Sequence, residues 1–378
     1  MKIAIITSRY PSKDNPYNHM FVHARCLYFV QQENIELVVY VPSKNDETYV
    51  FENIKVVKSS SLKISNEILS FDLVYLHLLN IYPNSELSGW NIYKSIMNNN
   101  IPCAMYIHGS EAQKYGTRNF NYDFSIKETL TYFYKDFYFI PKIKKFIKVI
   151  NSRNNSVFLA PSKWMIKEAE NNLSIKFNNF EVIPNGIDID MFTFSDLFEN
   201  RYKLLTLRPL ESPKYAVDVA IEIMRFLPSK FTLDIYGKGK LHNEFIVLIK
   251  KYNLENRINI INEFIDRKNL NQLFSKYGVA LMPTRMDAQG VSMCEMMSSG
   301  LLTVSSYSTA VPEFITNNIN GILGENDNPK EIAEKIIKVV ENKKKYQEIY
   351  TNAKKSMQDI SITNTMEEEL DVLKSIVK

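Results

Sequence analysis

Several protein classes are excluded by what this sequence has little of. Its three cysteines, Cys26, Cys103 and Cys294, lie far apart. They supply neither a disulfide framework nor the paired spacing of a zinc site, so a reducing compartment is the simplest expectation. No run approaches the ~18–20 consecutive apolar residues that cross a bilayer as a helix. The first strand-like segment starts at Lys2, with no charged leader, apolar stretch and small-residue cleavage site ahead of it, and a cytoplasmic location is expected. Short repeats and low-complexity tracts are absent. Charge of one sign is also scarce: the net value is +4, too small for the broad basic field that nucleic acid requires. The excess is local. Residues 1–185 hold 21 Lys and Arg against 16 Asp and Glu, and the remainder holds 25 against 26. Much of the positive surplus falls between residues 135 and 153, which suits a local anionic surface or acceptor.

What is present is an alternating α/β grammar, written twice. The chain has 378 residues, 45% of them hydrophobic and 23% charged, enough for two domains of roughly 150–200 residues. Apolar runs at 3–6, 37–41, 73–76, 104–107 and 157–160 are separated by segments of helical spacing, such as 87–99 and 162–172. A second series follows at 203–207, 231–236, 258–261, 279–282 and 302–305, and a helix pair at about 328–357 and 362–377 ends the chain. Continuous apolar strands alternating with helices predict parallel sheets covered on both faces, in two doubly wound domains. The boundary is expected at 185/186, with domains at 1–185 and 186–360 and a final helix at 361–378 that can cross back. In such sheets ligands lie beyond the carboxyl ends of the strands.

Four segments follow strands and carry chemistry. The densest runs from Pro283 to Gly300, after the strand at 279–282. It separates Asp287 and Glu295 by seven residues, places Gly290 in the loop, and predicts a helix from about Val291. Free backbone N–H groups at Gly290, Val291 and Ser292 suit a phosphate or sugar oxygen. A carboxylate one turn later can accept two ribose hydroxyls. Arg208 and Lys214 follow the strand at 203–207, a cation pair able to neutralise a diphosphate, Arg by a fork and Lys as a point charge. Pro184-Asn-Gly-Ile-Asp188 closes the first half, with Gly186 as a permissive turn. His108-Gly-Ser-Glu111 follows the strand at 104–107. Each segment also has a plain structural reading: solvated acids, surface cations, an ordinary turn, a packed histidine.

Together, in this order and spacing, the four resemble the retaining nucleotide-sugar glycosyltransferases of the GT-B architecture, glycosyltransferase family 4. The resemblance runs over nearly the whole chain and is densest from 181 to 324, where Tyr236-Gly-Lys-Gly239 adds a strand-end glycine turn. It implies two Rossmann-like domains facing across a cleft. It implies a catalytic set of His108, Arg208, Lys214 and Asp287. Donor binding falls to Gly186, Phe264, Ile265, Gly290, Val291, Ser292 and Glu295, with Glu295 on the ribose and the region of Phe264 and Ile265 at the base. The donor is a nucleotide-sugar, UDP-sugar favoured, and the acceptor a glycan or lipid-linked molecule of surface polysaccharide assembly. The resemblance implies no cofactor and no metal, and no Asp-x-Asp follows an N-terminal strand. Two departures stand out: Asp287 replaces the family's usual Glu, shortening the arm by one methylene, and the loop at 10–21 lacks the usual paired glycines.

No residue presents itself as an enzyme nucleophile. Transfer is therefore expected to rest on electrostatic stabilisation of the departing diphosphate and on positioning of the acceptor. A sugar-nucleotide epimerase or a phosphorylase on the same fold, or a non-catalytic partner subunit, are the alternatives. Finally, residues 132–150 are aromatic and basic, with Lys142, Lys145 and Lys148 near helical spacing beside Ile143, Phe146, Ile147 and Ile150. Such a helix fits either a peripheral contact with an anionic membrane or a core-packed helix with a solvated lysine face.

Overall fold

The apolar runs hide their backbones and side chains in two separate sheets in the computed structural model, which describes every residue except Tyr17, Phe194, Phe264 and Lys378. The chain divides into one unit of residues 1–184 with 365–378 and a second of residues 185–364.

The first unit holds eight strands: β1 (Lys2–Thr7), β2 (Glu36–Pro42), β3 (Glu47–Phe51), β4 (Ile54–Ser59), β5 (Leu73–His77), β6 (Cys103–Tyr106), β7 (Ser156–Ala160) and β8 (Phe180–Val182). Their order is β3-β4-β2-β1-β5-β6-β7-β8. All neighbours are parallel except the β3–β4 hairpin. The expected central strands are there, and β5 is buried along its whole length, as a strand covered on both faces must be. The hairpin was not expected. Its two turn residues, Glu52 and Asn53, have φ of 44° and 68°, the left-handed pair a two-residue hairpin demands. The sequence offers no Asn-Gly there to announce it.

The second unit is a wholly parallel sheet of β9 (Lys203–Leu207), β10 (Thr232–Tyr236), β11 (Ile258–Ile261), β12 (Val279–Leu281), β13 (Leu302–Ser306) and β14 (Ile322–Gly324), in the order β11-β10-β9-β12-β13-β14. Here β9 and β12 are neighbours, so the loops after them emerge side by side. That adjacency brings Arg208 and Lys214 to the Asp287 loop.

The helix expected at 328–357 is two helices, Pro329–Val340 and Lys343–Asp359. Asn342 lies between them, and its side chain accepts from the Lys345 N–H to cap the second. The last helix, Ile362–Ser375, packs into the first unit: its Leu370 and Leu373, with Ile376 just after it, join Ile3, Val22 and Phe29 in the core. Its Glu369 carboxylate accepts from Arg25 Nε at 2.9 Å and from the Tyr75 hydroxyl at 2.8 Å, all three fully buried. Removing one member of such a pair strands a charge in the core, a loss of ~3–5 kcal/mol.

The basic segment is part of a continuous helical run: Ile126–Phe133, a π turn at Tyr134–Phe139, then Ile140–Ile150. Ile143, Phe146, Ile147 and Ile150 are buried. The apolar side of residues 142–150 therefore faces the unit's own core and is not available to a membrane. Among the described residues no helix is long and apolar enough to cross a bilayer.

Candidate functional site

Gly290 explains why the loop after β12 turns where it does. Its φ is +81°, a conformation that glycine adopts without penalty, and it is the N-cap of the helix Val291–Ser298. The Asp287 side chain fixes this turn. Its Oδ1 accepts from the backbone N–H of Gly290 at 2.8 Å and of Gln289 at 3.3 Å, while its Oδ2 accepts from Arg208 Nη1 at 3.1 Å. One short carboxylate thus ties the helix start to the cation after β9.

Arg208 is 6% exposed. Apart from the bond to Asp287, its Nε and Nη2 are buried without a hydrogen-bond partner. A buried guanidinium with two idle donors carries a large desolvation cost unless an anion completes it. The loop that holds Arg208 is positioned by the glycine turn after β10. Arg208 N–H donates to the Tyr236 carbonyl and Leu210 N–H to the Lys238 carbonyl. A Cβ on Gly237 would stand 1.9 Å from the Arg208 carbonyl oxygen, so no other residue allows this approach. Lys214 is held by its backbone: its carbonyl accepts from Arg285 N–H at 2.7 Å and from the Thr284 hydroxyl at 3.2 Å. Its ammonium lies 4.6 Å from the centre of the Tyr215 ring.

Three further residues, absent from the sequence-based set, hold this frame. Arg285 binds Asp218 through two bonds, at 2.9 and 2.6 Å, and donates to the Pro213 carbonyl at 2.6 Å, locking the Lys214 loop to the Asp287 loop. Gln289 clasps Asn185, accepting from its backbone N–H at 2.8 Å and donating to its carbonyl at 2.8 Å. This anchors the turn containing Gly186, where Ile187 pairs with Ser361. Arg267, after β11, donates through Nη1 to Glu295 Oε1 at 2.8 Å. Glu295 is 4% exposed. Burial raises its carboxyl above the ordinary range, and Arg267 pulls it back down. Gln289 was visible inside the motif, but Arg267 and Arg285 carry no pattern that marks them.

Val291 and Ser292, at the helix start, are half-buried. Ile265 packs against the core cluster that includes Met293 and Met296. Phe264 lies outside the described residues. The second unit therefore brings Arg208, Lys214, Asp287, Gly290 and the helix start at Val291 and Ser292 into one connected group, with Glu295 one turn further along the helix and Arg267 bonded to it from the segment after β11.

His108 belongs to the first unit, where it is one of a ring-lined group at the ends of β1, β5 and β6. His108 Nε2 and His77 Nδ1 are 3.0 Å apart, and Tyr106 and Phe21 lie against the His108 ring at 4.5 and 4.6 Å between centroids. His19 Nδ1 sits 2.9 Å from the Thr7 hydroxyl. Burial pushes the imidazoles of His77 and His108 well below their ordinary value, aided for His77 by His108 and for both by Arg25 and His19. His19 is lowered to about 4 by burial and by Arg9. The cluster is thus neutral near pH 7. Glu111, the last residue of the His108 segment, accepts from the His108 N–H at 2.5 Å. His77 was readable in principle, since it ends β5 as His108 follows β6.

The chain is similar to known proteins in sequence and in fold. Residues 190–356 match the family model described as glycosyl transferases group 1, a span lying within the second unit. Over 204 residues the chain is 24% identical to an uncharacterized glycosyltransferase of Methanocaldococcus jannaschii, covering 53% of this chain and 54% of that protein. It is 26% identical over 159 residues to the amylovoran biosynthesis glycosyltransferase AmsK of Erwinia amylovora, covering 39% of each. The matches span about half the length, or less, of these curated relatives. Among solved structures, Anabaena HepE in complex with UDP and glucose superposes with a TM-score of 0.72 at 16% identity, over 99% of this chain and 100% of that one. The fold is GT-B.

Proposed function

We propose that this chain, a GT-B protein whose second unit matches the family model of glycosyl transferases group 1, moves a sugar from a nucleoside-diphosphate sugar to a glycan or lipid-linked acceptor. The observation that carries the reading is the buried Arg208 guanidinium with Nε and Nη2 unpartnered, beside Lys214 and the start of a helix. A diphosphate supplies the missing acceptors: Arg208 takes it in a fork, Lys214 adds charge, and the N–H groups of Val291 and Ser292 complete the cradle; the Gly290 N–H, expected to be free, is taken by Asp287. Preorganised donors of this kind stabilise charge that grows on the leaving group and cost no reorganisation. Glu295, raised by burial and pulled back down by Arg267, accepts the ribose hydroxyls. For His108, a neutral imidazole in the first unit, the resemblance to family 4 supports a role at the transferred sugar.

The finer assignments are retention of anomeric configuration, no bound divalent cation, and a UDP-sugar donor for surface polysaccharide. Their support is the resemblance to family 4, the UDP in the HepE complex and the polysaccharide role in the name of AmsK. The first measurement is thermal stability with UDP, GDP and ADP, on the native protein and on Glu295→Ala. A nucleotide at about 100 times its dissociation constant adds about 2.7 kcal/mol of apparent stability. Stabilisation by one nucleotide that the variant loses supports the donor site and identifies the base. Absence of any shift, with the corresponding sugar nucleotides also inert, defeats the reading. Transfer that persists in chelator, and a product of retained configuration by NMR, are the further expectations.

A further inference from the structure

The exposed apolar surface of the first unit is concentrated. Phe124, Ile126, Leu130, Phe133 and Phe137 are 86%, 81%, 63%, 54% and 65% exposed. The last four stand at i, i+4, i+7 and i+11, which places them on one face of the helical run that begins at Ile126. Phe133 and Phe137 pack ring on ring, 5.6 Å between centroids, and Tyr132 lies edge-on to both.

This helix is turned the unusual way round. A surface helix ordinarily puts its apolar stripe on the core and its polar side in water. Here no residue of Ile126–Phe133 is buried, and polar bonds fix the run instead. Glu128 accepts from the Tyr115 hydroxyl. The Tyr134 hydroxyl donates to the Ile81 carbonyl at 2.6 Å, and the Tyr138 hydroxyl to the Tyr82 carbonyl at 3.3 Å. A contiguous apolar stripe held outward marks an interaction surface.

The charges select the partner. The acids of the run are turned inward: Glu128 is held by Tyr115, and Asp136 accepts from the N–H groups of Tyr115 and Gly116. Lys127, Lys145 and Lys148 are exposed, and Lys144 is partly so. The run therefore presents aromatic and aliphatic side chains toward its start, lysines along its length, and no outward carboxylate between Ile126 and Ile150 other than those engaged ones.

We propose that this surface docks on an anionic lipid bilayer. Ile126, Leu130, Phe133 and Phe137 enter the boundary between headgroups and acyl chains, and Lys127, Lys144, Lys145 and Lys148 meet the lipid phosphates. The docking residues thus lie mainly ahead of the 142–150 helix that the sequence suggested. The inference stands apart from the transfer reaction, although a lipid-linked acceptor gives it a purpose.

Flotation of the full chain with vesicles of phosphatidylglycerol and phosphatidylcholine, against phosphatidylcholine alone, tests it. Binding to the anionic vesicles is expected at low salt and should weaken as salt rises. The double variant Phe133→Ser, Phe137→Ser should bind at least about tenfold less, and Lys145→Ser with Lys148→Ser about tenfold less at low salt. All four side chains are exposed or nearly so, and the UDP thermal shift measured on the same variants should match the native protein. That shift also separates the two readings, because its absence from the native chain counts against the donor site and not against docking. No vesicle binding, or binding that both variants retain, overturns the proposal. So does a concentration-dependent dimer in sedimentation that Phe133→Ser, Phe137→Ser abolishes while vesicles are ignored.

Discussion

The two units end their strands in opposite chemistries. Beyond β9, β11 and β12 the second unit sets out ions, with Arg208 paired to Asp287 and Arg267 paired to Glu295. Around the ends of β1, β5 and β6 the first unit sets out rings, with His77 and His108 uncharged among Tyr106, Phe21 and Tyr75. One parallel α/β plan therefore builds either a charged or a neutral rim, and the residue at each strand end decides which. The ionic rim suits a diphosphate. The neutral rim suits a group whose own charge must not be fixed in place.

Removing the ionic rim should have the largest effect. Arg208→Ala takes away the fork while sparing the first unit, and transfer should fall about a thousandfold. The UDP-dependent rise in melting temperature should vanish with it; a retained rise would show that the rim does not hold the diphosphate. Altering the neutral rim should separate binding from turnover. His108→Gln is expected to lower kcat about a hundredfold with the UDP shift intact, and equal losses of both would erase the division between the units.

A subtler change sharpens the ionic side. Arg267→Ala should weaken UDP binding about thirtyfold at neutral pH, the scale of a charge-assisted hydrogen bond. Glu295 already has a raised carboxyl because it is buried, and without Arg267 it rises further. Binding to the variant should then recover as pH increases and the carboxylate forms, whereas the native protein should vary less. A variant equally weak at every pH would assign Arg267 some role other than lowering the Glu295 carboxyl.

The smallest effect belongs to the neutral rim under acid. The folded imidazoles of His77 and His108 lie below the ordinary 6.5, so the unfolded chain takes up protons first. Their contribution is fully present above about 6.5 and is lost as pH falls below it, by no more than about 1.4 kcal/mol per pH unit for each histidine. Calorimetry from pH 7 to 5 should show this slope, reduced in His77→Phe.

The same contrast governed what could be read from the sequence. The Asp287-to-Gly300 segment is contiguous, so its acid, glycine and helix start were visible as one pattern, and Gly237 was visible as part of a strand-end turn. The partners that hold them were not. Arg267 and Arg285 reach Glu295 and Asp218 across 28 and 67 residues, and an isolated arginine in a charged stretch looks like any solvated one. The neutral rim is assembled from segments around residues 7–21, 77 and 108, and only His108 stood out. The strands with long apolar runs were equally plain. The β3–β4 hairpin was hidden because Glu52 and Asn53 adopt left-handed backbone without the glycine that usually signals it. The break at Asn342 was hidden because the helical periodicity continues through it. The outward stripe was missed for a related reason: periodicity reports that a helix has an apolar face and leaves open which way that face points.

The bond between Arg25 and Glu369 also has a consequence for how the molecule is made. A ribosome completes residues 1–184 long before it reaches 365–378, so the first unit waits, with Arg25 lacking its carboxylate and the surface over Ile3, Val22 and Phe29 uncovered. The second unit is contiguous and can close as soon as it emerges. The half that is synthesised first is thus completed only after the second, and any exchange of halves between related chains must carry residues 365–378 with residues 1–184.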